Sequence, residues 1–205
     1  MLTAIIVVAG YLLGSMPWGY WLPLIFRHED IRTKGSGNVG ASNVWRVYGR
    51  HLGLPVVLLD TAKGFVPALV GTLLVGHGTG VLAGAAAMLG HYRPLFLKFQ
   101  KGGKMVATAG GAFLGVAPAV GGLGAVVWIL VFVVFRYPSL ASMVSAVSLI
   151  AWSLLLGYPW PVTVFAAFAA AGVILLHKSN LQRLIRGEEH RSTLWRRWIR
   201  PSTSL

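Results

Sequence analysis

Apolar positions along this chain come in long runs separated by short polar islands. The runs at 2–26, 54–75, 79–97, 139–156 and 161–176 carry few charged residues. About 20 apolar residues wound into a helix cover the roughly 30 Å of a bilayer's hydrocarbon layer, so each run predicts a membrane-crossing helix. A sixth run, 105–135, is too long for a single crossing. Pro118, with Gly115, Gly121 and Gly122 around it, is a turn signal that divides the run into a limb of about 13 residues and a longer one ending at Phe135. Thirteen helical residues reach only about 20 Å, so the shorter limb is expected to pack against its neighbours with its polar end inside the protein.

Composition agrees with this pattern. The chain has 205 residues, of which 56% are hydrophobic and 11% charged, and its mean hydropathy is +0.70. Such values lie outside the range of ordinary soluble domains. The first run has no basic residue before it and carries Pro17 and Trp18 where a cleavage site would be sought, so it is expected to be retained. Cysteine is absent, which excludes disulfides and thiolate chemistry. The expected organisation is one membrane domain over 1–191 and a basic, Trp-containing tail over 192–205 that lies on the membrane surface.

The formal net charge is +13, which taken alone fits nucleic acid, anionic lipid or anionic substrates. Position decides between them. Seventeen of the 18 Lys and Arg fall at 27–53, at 93–104, at Arg136 and at 178–200, while the loops near 76–78, 118 and 158–160 have none. Basic residues in short loops mark the cytoplasmic side. Arg136 and the C-terminal arginines share that side only if 105–135 crosses twice. The reading is an all-α integral membrane protein, a bundle of seven transmembrane helices with its N-terminus outside and its C-terminus cytoplasmic, and with no role for nucleic acid.

Three polar islands then stand at cytoplasmic helix ends: 35–46 (GSGNVGASNVWR), 101–108 (KGGKMVAT) and 177–189 (HKSNLQRLIRGEE). In the first, Gly35, Gly37 and Gly40 have the spacing of a dinucleotide loop but follow a membrane helix instead of a strand, so that motif fails. Two readings remain open. Either the glycine amides form a nest for an anion, with Ser36, Asn38, Ser42 and Asn43 as neutral donors and Arg46 as a bidentate partner for phosphate, or the stretch is a hydrated helix cap. In the second island, Lys104 with the amides of Gly102 and Gly103 suits a phosphate, whereas Lys101 reads as a flank of the span. Thr108 either lines that site or bonds a backbone carbonyl. In the third, His177 and Asn180 are three apart and share a helical face; Glu189 and Arg183 form an ion pair. Asp60, with Lys63 three positions on, is an ionisable residue inside an apolar run, which is costly enough to suggest a supporting role at the site. No metal-ligand spacing occurs among the six histidines, no G-x-S-x-G elbow is present, and no cofactor is implied.

Together the islands resemble the three signature motifs of the bacterial acyl-phosphate:glycerol-3-phosphate acyltransferases, the PlsY family, and LLGSMPWGY (12–20) and LLDTAKG (58–64) are similar to that family as well. The resemblance runs to about Arg191. It implies an enzyme of the bacterial inner membrane that transfers a fatty acyl group from acyl phosphate to the 1-hydroxyl of sn-glycerol 3-phosphate, giving lysophosphatidic acid and inorganic phosphate. Carried over by position, it implicates Ser36, Asn38 and Arg46, then Gly102, Gly103 and Lys104, then His177, Asn180 and Glu189. Two departures stand in the second motif: Gln100 is interposed after Phe99, and Met105 occupies a place where glycine is usual.

This chemistry suits the residues present. An acyl phosphate is already activated, so no covalent enzyme intermediate is required. Each phosphate carries about −1.5 to −2 charge near neutral pH, and cations offset the repulsion between the two. Holding the reactants together supplies roughly 7–11 kcal/mol of barrier reduction. The hydroxyl proton passes either to a substrate phosphate or to His177. The rival reading, a transporter or channel for a phosphorylated anion, requires an inverted repeat and polar residues reaching the outer face; neither is evident in the sequence.

Overall fold

The computed structural model describes residues 1–192, which contain helices and no strand. The helices are α1 (Leu2–Gly14), α2 (Trp18–Arg27), α3 (Ala41–Tyr48), α4 (Arg50–Leu74), α5 (His77–Tyr92), α6 (Val106–Val116), α7 (Pro118–Phe135), α8 (Pro138–Leu155), α9 (Trp160–Leu176) and α10 (Lys178–Ile185), with single 3₁₀ turns at Ile31–Thr33 and Leu95–Leu97. The 105–135 run breaks at Pro118 as expected: α6 ends at Val116 and Pro118 opens α7. The 79–97 run ends earlier than expected, because the residue before Pro94 is pushed out of the helical region and the chain continues as a 3₁₀ turn. The expected tail lies outside the described residues except for Ser192, whose N–H donates to the Arg136 carbonyl at 2.8 Å.

Four segments are long and apolar enough to cross a membrane, namely Leu2–Arg27, Arg50–Leu74, Pro118–Phe135 and Pro138–Leu155. A fifth qualifies if α9 and α10, which meet at a 63° bend, are counted as one. The seven expected crossings are therefore not all matched by length, since α5 has 16 residues and α6 has 11. The outward faces are apolar: Leu73, Leu155 and Leu175 are 73%, 75% and 73% exposed, the inverse of a water-facing surface.

Small residues bring the helices together. A Cβ on Gly64 would lie 2.0 Å from the Thr108 carbonyl, and one on Gly111 would lie 1.9 Å from that of Thr61, so α4 and α6 touch backbone to backbone. Gly14 meets Ala87 of α5 in the same way. The main core gathers Ala68, Met88, Met105, Ala112, Phe113, Val162 and Phe165, with Phe113 and Phe165 stacked at 4.6 Å. A second cluster, Ile31, Val39, Val44, Leu52 and Val56, anchors the first polar island against α4.

Candidate active site

The first island is a loop that hydrogen-bonds to itself and then opens α3. Gly35 and Gly37 adopt φ of 58° and 68°, conformations that favour glycine. Asn43 is buried and clasps the loop: its Oδ1 accepts from the Ser36 N–H (2.9 Å), and its Nδ2 donates to the Lys34 (3.0 Å) and Asn38 (2.9 Å) carbonyls. The Gly40 N–H donates to Asn38 Oδ1 (2.8 Å), and the Gly37 N–H to the Lys34 carbonyl (3.0 Å). Most of the expected nest amides are thus already engaged within the loop, and Asn43 shapes it. The side chains of Ser36, Ser42 and Arg46 are exposed at its surface.

The second island folds back on α5. The Gly102 N–H donates to the Tyr92 carbonyl (2.9 Å) and the Gly103 N–H to that of His91 (3.0 Å). This corrects the expectation that both amides face a phosphate, because the end of α5 supplies free carbonyls that capture them. The glycines are needed for close approach: a Cβ on Gly102 would lie 2.0 Å from the His91 carbonyl oxygen, and one on Gly103 2.0 Å from His91 Nε2. Beneath His91 lies a buried ion pair, Asp60 with Lys63 (2.8 Å), and His91 Nδ1 is 3.7 Å from the same carboxylate oxygen. Lys63 also donates to the Met16 carbonyl at the α1–α2 break (2.7 Å). Asp60 therefore pairs with Lys63. Thr108 is fully buried, its backbone against Gly64 in the α4–α6 contact, and its hydroxyl has no hydrogen-bond partner among the described residues.

In the third island, His177 is buried at the α9–α10 bend, its Nδ1 2.8 Å from the Val173 carbonyl. A carbonyl only accepts, so Nδ1 carries the proton there and Nε2 is the open position. Asn180 donates to Glu189 Oε1 (2.7 Å), while its Oδ1 accepts from the Lys104 ammonium. Glu189 also accepts from Ser139 Oγ (2.8 Å) and pairs with Arg183 Nε (2.8 Å), with its own side chain only 6% exposed. The expected Arg183–Glu189 surface pair is thus half buried and tied into the site.

These contacts join the islands. Asn38 Nδ2 reaches the Gly102 carbonyl at 3.4 Å, Arg32 donates to Gln100 Oε1 at 2.9 Å, and Lys104 meets Asn180. Burial, then the positive charge of Arg183, pulls the Lys104 ammonium down to about 8; Glu189 opposes this, and Lys101 and Arg46 add to it. Burial alone would raise Glu189, but hydrogen bonds from Asn180, Ser139 and Arg183 outweigh it and hold the carboxyl below its ordinary value. Three further cations thus act on Lys104 against a single well-held carboxylate, an arrangement that favours an arriving anion.

Four features escaped the sequence reading. Ser139 gave no signal, being one serine in an apolar run. His91 stood in the second motif, yet only its contact with Gly103 reveals its part. Glu29 and Asp30 pair with Lys34 (2.6 Å) and Arg32 (2.6 Å) just before the first island.

The family model described as glycerol-3-phosphate acyltransferase matches residues 4–187 of this chain. A glycerol-3-phosphate acyltransferase of Desulforamulus reducens is 42% identical over 188 residues, covering 91% of this chain and 94% of the relative. The crystal structure of PlsY, an integral membrane glycerol 3-phosphate acyltransferase, in its glycerol 3-phosphate form superimposes with a TM-score of 0.92 at 38% identity, covering 98% of this chain and 100% of that one. The lysophosphatidic acid form of PlsY superimposes with a TM-score of 0.87, also at 38% identity, covering 95% and 97% of the two chains.

Proposed function

Because the chain belongs to the glycerol-3-phosphate acyltransferase family and is a multi-pass membrane acyltransferase, we propose that its acyl donor is acyl phosphate and that the joined islands hold donor and acceptor side by side. Family membership sets aside the transporter reading. In this proposal seven segments cross the bacterial inner membrane, the short α5 and α6 among them. The N-terminus is outside, and the islands face the cytoplasm, where glycerol 3-phosphate is dissolved.

The 1-hydroxyl oxygen of glycerol 3-phosphate attacks the acyl carbonyl carbon. The bond from that carbon to the phosphate oxygen breaks, inorganic phosphate leaves, and lysophosphatidic acid remains. Arg46 and Lys104 neutralise the two phosphates. Ser36, Asn38 and Ser42 supply neutral contacts, and Gly35, Gly37, Gly40 and Asn43 give the loop its shape. Gly102 and Gly103 set the position of Lys104, braced from beneath by His91, Asp60 and Lys63. With its Nδ1–H donated to Val173, His177 offers Nε2 as an acceptor that orients the attacking hydroxyl, whose proton leaves on the phosphate. Asn180 and Glu189 hold Lys104 in place.

One observation carries this reading: Lys104 of the second island donates to Asn180 of the third, beside the contact from Asn38 of the first island to the Gly102 carbonyl, so the ammonium sits where the three islands meet. The test uses purified protein in detergent with palmitoyl phosphate and glycerol 3-phosphate, following lysophosphatidic acid and phosphate release together. Equimolar products are expected, with palmitoyl-CoA inert; turnover with palmitoyl-CoA alone refutes the donor assignment. Full turnover by each of Ser36→Ala, Arg46→Ala and Lys104→Ala refutes the site.

A further inference from the structure

Beside the proposed site, and sharing with it only Lys101, a groove of about 440 Å³ runs between the end of α5 and the α9–α10 bend. Tyr92, Arg93 and Lys101 form one wall; Leu175, Leu176, Lys178, Ser179 and Gln182 form the other. Among the described residues no carboxylate lies within ion-pair distance of Arg93, Lys101 or Lys178: Asp30, Glu29, Asp60 and Glu189 pair with Arg32, Lys34, Lys63 and Arg183, and Glu188 forms no ion pair. Arg93 is held by neutral groups alone: it donates to the Phe99 carbonyl (3.2 Å) and to the Tyr92 hydroxyl (3.4 Å), and its guanidinium lies 4.8 Å from the Tyr92 ring centre. Three cations facing one cavity with no counter-charge repel one another, and an anion between them relieves that repulsion.

The rest of the lining says what kind of anion. Leu175 and Leu176 end the apolar helix α9, and Leu175 is 73% exposed, so the groove joins a lipid-facing helix surface to a polar rim. A free phosphate would satisfy the rim and leave the leucines bare. We propose that this groove binds a phospholipid of net negative charge, its phosphate between Arg93, Lys101 and Lys178 and its acyl chains along Leu175 and Leu176. The short helix α10 serves both sites. Asn180 turns toward Lys104, while Lys178, Ser179 and Gln182 line the groove, so the bound lipid braces the element that holds Lys104.

The probe is a mixture of dioleoyl phosphatidylglycerol and dioleoyl phosphatidylcholine incubated with the full purified chain, with retained lipid read by native mass spectrometry. The wild type is expected to retain phosphatidylglycerol in preference to phosphatidylcholine, and the double variant Arg93→Gln, Lys178→Gln to lose that preference by at least about tenfold. Gln182→Trp, which fills the groove without changing charge, is expected to lose it as well. Lys98→Gln removes one charge from an exposed loop residue that does not line the groove, and is expected to keep it. In phosphatidylcholine vesicles at pH 7 the double variant keeps its basal acyl transfer, which separates this site from the catalytic one. Equal retention of the two lipids by the wild type overturns the proposal, as does an equal loss in Lys98→Gln, which would mean general surface attraction. Displacement of phosphatidylglycerol by millimolar inorganic phosphate overturns it in favour of a free-phosphate site, and loss of basal transfer in the double variant overturns it by making the groove part of the catalytic machinery.

Discussion

Lys104 combines two roles that pull against each other: it must stay charged to hold a phosphate, yet its surroundings favour the neutral amine. A lysine lowered to about 8 is protonated below that pH and loses its charge as pH rises through it. The kcat/KM for glycerol 3-phosphate, which reports the free enzyme, is therefore expected to fall on the alkaline side of about pH 8. In Lys104→Arg, whose charge persists at all accessible pH, that fall should disappear even if the maximum drops; an identical alkaline limb in both proteins assigns it to another group. The neighbouring residues set where this ammonium sits. Gly103→Ala drives a methyl into His91 Nε2, at 2.0 Å, and is expected to cut turnover by about 100-fold, the scale that a displacement of about 1 Å produces, while the protein still purifies and folds. Met105 makes a separate case. It sits at φ 68°, a region that suits glycine, yet it is 4% exposed and part of the main core. Met105→Gly relieves about 1–3 kcal/mol of backbone strain, whereas Met105→Ala retains it, and both lose roughly 2–5 kcal/mol of packing. Thermal unfolding in detergent should therefore rank wild type first, glycine second and alanine last; alanine above glycine would remove the strain argument.

At the scale of elements, the long apolar helices were legible and the clasp between them was not. The break at Pro118 follows from a ring that cannot continue a helix, a property of one residue that the sequence displays. The role of Glu189 depends on Asn180 from α10, Ser139 from α8 and Arg183 meeting at one carboxylate, and only the fold brings those positions together. The two glycine amides of the second island were misread for the same reason: which acceptor they take depends on where α5 ends, and α5 ends at Tyr92 because Pro94 follows. The Glu189 clasp is testable through Lys104. Its carboxylate raises the Lys104 pKa, so Glu189→Gln, which keeps the shape and the acceptor oxygen, should move the alkaline limb of kcat/KM below its wild-type position. It should also lower the melting temperature, because Arg183 loses a charge-assisted partner worth about 1.5–3 kcal/mol. An unmoved alkaline limb with a lowered melting temperature would leave Glu189 a purely structural residue.

For the whole molecule the question is which way the polar end faces. The contacts from Asn38 to Gly102 and from Lys104 to Asn180 gather all three islands at one end of the bundle, and in the proposed orientation the basic excess in their loops puts that end in the cytoplasm. His77 and Tyr158, 6.3 Å apart in loops without Lys or Arg, then mark the opposite end. The chain has no cysteine, so single introduced thiols report orientation with no background. Gly78→Cys is suitable because that position is exposed and a Cβ there meets nothing within 4 Å; Lys98→Cys is suitable because it is exposed on the loop before the second island. In intact spheroplasts a membrane-impermeant maleimide is expected to label Gly78→Cys at once and Lys98→Cys only after permeabilisation. The same experiment tests the short helices, since seven crossings put these two positions on opposite sides only if α5, with its 16 residues, spans the bilayer between them. Labelling of both thiols from outside would mean that α5 turns back within the membrane, and the polar end would then face away from the compartment that supplies glycerol 3-phosphate.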